Sequence, residues 1–284
     1  MSFPVITGFG CATALPCVSD SYLKTPKSRK FMGGQDHLAV CAAGRALESA
    51  GLRSPELGSD AGLFLAVGYI PFEHPDIEAL IDGSLEHGKI SMQRFGNDGF
   101  AAVNPLLTFR CLPNMPAYHV SANFDFQGEY FVTYPGCGQF YAALQEAIAA
   151  LVAGRIRVAC VGAVAHQINF LVTHHYQRLR PPVAADRLRD GAAFIILEMN
   201  ETCEVRGGNV RGYLKELSVE YALHDPFREE LEPKEMLSAD YPIPDGKYGA
   251  ASLPVALASI SKGIVKHEIQ TRDGITASSL WELN

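Results

Sequence analysis

The segment EYFVTYPGCGQFYAALQEAIAALVAGRIRVACVGAVA, residues 129–165, constrains the fold more than any other part of the chain. EYFVTY (129–134) has the aromatic and β-branched content of a strand. Pro135 and Gly136 make a turn, and CGQFYAALQEAIAALVAG (137–154) spaces its apolar residues as a helix does. RIRVACVGAVA (155–165) is then a nearly continuous apolar run, the mark of a strand buried on both faces. A strand that returns through a helix must pair in parallel with its successor's sheet, and helices then cover the sheet. The pattern recurs upstream. FPVITG (3–8) reads as a buried strand, QDHLAVCAAGRALESAG (35–51) as a helix stopped by Gly51, and AGLFLAVGY (61–69) as a second buried strand.

The rest of the chain completes one α/β unit. Residues 74–88 read as a helix, 89–127 as short helices, and 192–200 and 210–223 as strands. Residues 224–248, rich in Asp, Glu and Pro, read as an irregular loop. A helix is expected over 250–264, with Pro254 in its first turn, and a short strand near SLWEL. No linker, low-complexity tract or repeat interrupts this order.

Composition removes several function classes. The formal net charge is −7 with no basic tract, which argues against a nucleic-acid partner. No apolar stretch approaches a membrane span, and the start, MSFPVITGFGCATALP, has neither the basic segment nor the apolar core of a leader. Seven cysteines without metal-ligand spacing read as reduced thiols, so a cytoplasmic protein without a metal site is expected.

One cysteine stands apart. Cys137 falls at the start of the expected helix, where the positive end of the macrodipole favours thiolate. Gly136 and Gly138 flank it and let backbone N–H groups approach a bound carbonyl, as an oxyanion hole requires. His166, and the pair His174 and His175, are the histidines near it in sequence and the candidate bases; an orientation toward a groove edge or solvent is the plainer reading. Gln139 and Phe140 put bulk beside the cysteine, either to narrow a binding tunnel or to fill packing space. Arg180, with Arg187 and Arg189, forms a basic cluster suited to phosphate at a pocket mouth, though solvated charge explains it equally.

The order of motifs resembles the β-ketoacyl synthases, decarboxylating condensing enzymes with a thiolase-type fold. VITGFGCATALP resembles their opening strand and turn, QDHLAVCAAGRALESAGL their first long helix, and FLAVG their second strand. NPLLTFRCLPNMPAYHVSANFDFQGEYFVTYPGCGQFYAALQEA carries the family's Asn-Pro, Pro-Asn-Met, His/Gln-x-Ser and nucleophile-elbow elements in order. RPPVAADRLRDGAAFIILE resembles the Arg-Pro-Phe…Arg-Asp-Gly…Leu-Glu segment. The resemblance covers residues 3–215 and is diffuse beyond.

It implies an α/β, thiolase-like layered α/β/α/β/α fold with a near-complete N-terminal half and a shortened C-terminal half. Residues 1–200 would carry the cysteine elbow and 201–284 the shortened half of a single unit. It places Cys137 at the acyl-accepting position and His119 in a segment that lines the family's dimer interface. The family pairs subunits through the strand before the elbow, here EYFVT. A trimmed second half is also expected to leave apolar surface and open strand edges in need of cover.

The departures concern catalysis. The family's first histidine lies in His-Gly-Thr-Gly-Thr, which is absent; the later histidines, His224 and His267, are not followed by glycine. The second lies in Lys-Ser-x-x-Gly-His-x-x-Gly-Ala-Ala-Gly. The nearest segment, YPIPDGKYGAAS (241–252), puts Tyr241 at the lysine and Gly246 at the histidine, with Lys247 beside it. The resemblance therefore implies a non-condensing, chain-length-factor-like subunit of a type II fatty acid or polyketide synthase. Its partners would be a full-length β-ketoacyl synthase, or a second copy of itself, and an acyl carrier protein. The alternative is a Cys-dependent acyltransferase or thioesterase using Cys137 without decarboxylation. No bound cofactor is expected; substrate would arrive on the phosphopantetheine of an acyl carrier protein or on CoA.

Overall fold

Continuous apolar runs become the centre of one large sheet in the computed structural model, which describes residues 3–17, 20–52, 57–222 and 233–284. Strand β1 (Val5–Ala12), helix α1 (Gly34–Ala50), strand β2 (Ala61–Val67), helices α2 (His74–Ser84) and α3 (Met115–Phe124) and strand β3 (Tyr130–Thr133) come first. Helix α4 (Gln139–Val152), strand β4 (Val158–Ala165), helix α5 (Phe170–Arg178) and strand β5 (Gly191–Glu198) follow. Strands β6 (Gly212–Tyr221) and β7 (Lys234–Ala239), helix α6 (Ser252–Ser259) and strands β8 (Gly263–Gln270) and β9 (Ile275–Leu283) close the chain.

The nine strands run in the order β3-β2-β4-β5-β1-β6-β9-β8-β7. β2 pairs in parallel with both β3 and β4, as the 129–165 segment requires. β5 lies antiparallel between β4 and β1, and β6, β9, β8 and β7 form an antiparallel meander. Every residue of β2, β4 and β5 is buried because helices cover both faces. One face packs on α1 and α3. On the other, Val161 and Ile195 share a core with Leu144 of α4, Leu257 of α6, and Val265, Ala277 and Trp281 of the meander. The meander therefore curls over α4 and α6, giving layers of helix, sheet, helix and sheet. This is the thiolase-like layering with a shortened C-terminal half.

The shortened half ends the sheet on β7, an open strand edge among the described residues as sequence suggests. Among the described residues no helix covers the meander's outer side, which instead carries charge pairs: Lys215–Glu282 at 2.8 Å and Lys266–Glu268 at 2.6 Å. Large exposed apolar side chains remain on the meander, Met236 of β7 (65%) and Tyr221 of β6 (60%) among them, and others lie in the N-terminal half, including Met92 (73%), Phe100 (70%) and Tyr130 of β3 (63%). Other expectations change near the C-terminus. Residues 234–239 of the expected loop form a strand, and 223–232 lie outside the described residues. The helix expected to reach 264 stops at Ser259, and β8 begins at Gly263. Helix α2 likewise ends at Ser84, before a two-residue hairpin pairing 85–86 with 89–90.

Helix α1 rests directly on β1 because two glycines leave room for it. A Cβ on Gly10 would stand 2.1 Å from the Ala42 carbonyl oxygen and 2.3 Å from the Ala46 nitrogen. Both are backbone atoms that cannot rotate away. Gly10→Ala is expected to lower stability by about 3 kcal/mol through overpacking. The check is a lower urea midpoint with an unchanged slope.

Candidate active site

Two glycines shape the chain around Cys137. Gly136 has φ +119°, a conformation that residues with a Cβ rarely adopt, and it turns the chain sharply out of β3. Gly138 caps α4, and a Cβ there would lie 2.8 Å from Thr271 Cγ2 and 3.2 Å from Ile275 Cβ. The β8–β9 turn can therefore sit on the helix start. Gln139 fastens it, since its Nε2 donates to Asp273 Oδ2 at 2.8 Å. The helix begins at Gln139, two residues later than expected, so Cys137 precedes it.

Cys137 is half-buried between two spaces. In front opens a cavity of about 470 Å³ walled by Tyr69, Tyr134, His175, Tyr176, Arg272 and Asp273, with Gly136 and Gln139 beside the thiol. Behind lies a recess of about 10 Å³, which Cys137 shares with Tyr176, Pro233, Glu235, Lys247 and Gly249. Lys247, the cation nearest the family's missing histidine in sequence, thus reaches the cysteine's surroundings.

The expected lowering of the thiol's pKa does not occur. Burial pushes Cys137 up to about 12, the Glu235 carboxylate and Asp273 add to the rise, and the residue's own backbone N–H and Lys247 oppose it. The physical reason is desolvation outweighing a partial dipole charge of about half a unit, with Asp273 already placed at that end of the helix.

The other candidates separate. His174 is exposed on α5, whereas its neighbour His175 turns into the cavity with its ring 4.5 Å from that of Tyr69. His166 is buried rather than at a groove edge, with Nε2 3.7 Å from Asp190 Oδ2, and lines neither space beside Cys137. Asp190 also accepts from the Gln167 and Ile168 N–H groups at 2.7 and 2.9 Å, so this corner holds the end of β4 in place. Phe140 is buried in the core between sheet and meander and does not line the cavity. Arg180 is exposed and also absent from the cavity wall, while Arg189 donates to the Asp186 and Leu188 carbonyls. Sequence reasoning missed Tyr69, Glu235 and Asp273. Only Asp273 carried a signal, the Asp-Gly pair of a hairpin turn. Among the described residues, no group of three or more His, Cys, Asp or Glu side chains is placed to hold a metal ion, and no helix is long and apolar enough to cross a membrane.

A five-stranded half-sheet in this order, helices on both faces and a cysteine leading into the buried helix define the thiolase-like ketosynthase fold. Residues 6–193 match the family model described as β-ketoacyl synthase, N-terminal domain. The chain belongs to the β-ketoacyl synthase family. No curated protein sequence matches it. Similar solved structures share the fold at low identity. One is described as "AntDE:AntF (apo): type II PKS acyl-carrier protein in complex with its ketosynthase bound to the hexaketide", with TM-score 0.73, 12% identity and 100% of both chains covered. The ishigamide ketosynthase/chain length factor gives 0.64 at 14% identity, again over 100% of both chains. A β-ketoacyl synthase from Burkholderia phymatum STM815 gives 0.63 at 16% identity, with the same coverage.

Proposed function

We propose that this chain is a non-condensing ketosynthase-like subunit that pairs with a full β-ketoacyl synthase, as a chain length factor does, and shapes the space that holds the growing acyl chain. One observation carries the reading. The thiol, at the position where the resemblance puts the acyl acceptor, has its pKa pushed up to about 12, and the one histidine among the described residues lining its cavity, His175, packs its ring against that of Tyr69 at a 47° tilt. A condensing site needs a thiolate-competent cysteine and histidines that hold the malonyl carbonyl, and this arrangement offers neither. Exposed apolar side chains on β3 and over residues 92–118 supply a surface for a partner. Two structural relatives, one described as a ketosynthase with its acyl-carrier protein and one as a ketosynthase/chain length factor, are consistent with such a system. The acyl group would arrive on the phosphopantetheine of an acyl carrier protein, or on CoA.

Purification of the chain alone and together with a type II ketosynthase tests the reading. A one-to-one complex is expected, and the chain alone should release no carbon dioxide from malonyl-carrier protein. A soluble homodimer that never pairs with the ketosynthase, or decarboxylation by the chain alone, would sink it.

A second reading is favoured by the cavity of about 470 Å³ that opens directly on Cys137. There the thiol accepts an acyl group from a thioester and passes it on without decarboxylation. Intact-mass analysis after incubation with an acyl thioester should find one adduct, absent in Cys137→Ala. An adduct that survives this substitution removes the reading.

A further inference from the structure

Behind Cys137 a chain of buried hydrogen bonds runs through the core and ends at the recess. Trp281 Nε1 donates to Ser279 Oγ at 2.8 Å. Ser279 Oγ lies 2.8 Å from Tyr141 Oη, and Tyr141 Oη lies 2.8 Å from His267 Nδ1. His267 Nε2 lies 3.1 Å from Glu235 Oε1. Trp281, Tyr141, His267 and Ser279 are all buried, while the Glu235 side chain is 12% exposed, so the acid is the chain's outlet.

Chemistry gives the chain a direction. An indole N–H only donates, and an ionised carboxylate only accepts. Ser279 accepts from Trp281, and its own O–H is free to donate to Tyr141. Tyr141 can then donate to Nδ1 of His267, whose other ring nitrogen, Nε2, is aimed at Glu235. Every group in the chain has a partner, and the tyrosine and imidazole rings stack at 5.7 Å and 11° to hold it. Apolar residues would fill the same space without such desolvation. What the polar chain adds is a carboxylate fixed in position at the wall of a recess that Cys137 shares. The recess, at about 10 Å³, has room for about one water, which sets the longest path a proton would travel between them.

We propose that Glu235 is the proton acceptor for the Cys137 thiol in acyl transfer, with His267 as its positioning residue. The inference rests on the reading of Cys137 as an acyl acceptor. The Cys137 S–H gives its proton to the Glu235 carboxylate as sulfur bonds to the thioester carbonyl carbon. The tetrahedral adduct expels the outgoing thiolate, which takes the proton back from Glu235 and leaves as a thiol. Lys247, in the same recess, offsets the negative charge that develops. Burial raises the thiol's pKa, so a neighbouring base that takes its proton during attack speeds the reaction.

The test measures acylation of Cys137 by a short-chain acyl thioester of N-acetylcysteamine, followed by intact mass from pH 6.5 to 9.5. Wild type is expected to react at a rate that stays on a plateau over this range, because a carboxylate rather than hydroxide takes the proton. Glu235→Gln should be at least about 100-fold slower at pH 7 and gain tenfold per pH unit, as direct thiolate attack requires. His267→Gln should slow the reaction and make the rate rise with pH, and Glu235→Asp should restore part of the plateau; melting curves identify any variant that unfolds. A wild type that itself gains tenfold per pH unit, or a folded Glu235→Gln variant that keeps the plateau, overturns the inference while leaving the acyl-acceptor reading in place. No adduct on wild type at any pH overturns both.

Discussion

Phe131→Asp is expected to leave the chain folded and to abolish the proposed pairing with a ketosynthase at micromolar concentration. Strand β3 ends the sheet. One of its edges pairs with β2, from Leu63–Tyr130 to Ala66–Thr133, and among the described residues nothing pairs with the other. Phe131 is 36% exposed and belongs to neither large core cluster, so a polar side chain there costs little in the isolated chain. An open edge flanked by exposed aromatics is suited to pairing with another strand, and a charge on that edge is how natural proteins prevent such pairing. Loss of an aromatic anchor at an interface centre costs about 2–4 kcal/mol, or roughly 30- to 1000-fold in affinity. Sedimentation of the co-purified pair would read the loss, and an unchanged melting temperature for the chain alone would separate it from misfolding. A complex of undiminished affinity would mean that β3 is not the pairing edge.

How far the sequence carries depends on the range of the interactions involved. Residues 129–165 announce the parallel core because strand, turn and helix each leave a local pattern, and burial on both faces erases polar alternation in β4. The meander leaves a weaker local pattern. IVKHEIQTRDGITASSLWEL contains alternating apolar and polar positions about an Asp-Gly turn, the pattern of a hairpin. The apolar run ASLPVALASISKGI before it extends helical spacing across the boundary, and only Gly263, with φ +109°, marks where the strand starts. Propensity alone does not place that boundary.

The site divides along the same line. Cys137, Gly136, Gly138 and Gln139 adjoin one another in sequence, and a turn-and-helix pattern is enough to group them. Glu235, Lys247, His267 and Asp273 come from β7, a loop and the hairpin, and reach the cysteine only because the meander curls over α4. The pKa of Cys137 shows why this matters. A helix-tip argument uses only local backbone and gives the wrong sign, since desolvation and the Glu235 carboxylate both depend on strands more than 90 residues away. His174 and His175 make the same point at smaller scale: adjacent residues on α5 face opposite environments, and which one meets the cavity depends on how the helix docks.

The largest loss of stability should follow from Arg206→Met. Glu198, at the end of β5, is fully buried where β4, β5 and β1 meet. Its carboxylate accepts from Thr7 Oγ1 at 2.5 Å and, bidentately, from Arg206 Nε and Nη2 at 2.7 and 2.6 Å. Removing the guanidinium strands a buried charge that Thr7 alone cannot satisfy, a change that typically costs about 3–5 kcal/mol. Water reaching the partly exposed Arg206 site would draw the value toward the lower end. The cost comes from the unpaired acid rather than from a lost attraction, and a double-mutant cycle can tell these apart. Glu198→Met together with Arg206→Met removes both charges, so the double variant should be more stable than Arg206→Met alone by about 2 kcal/mol or more. If urea denaturation ranks the double variant below the single, the pair holds the sheet end through direct attraction, and desolvation of Glu198 is not the governing cost.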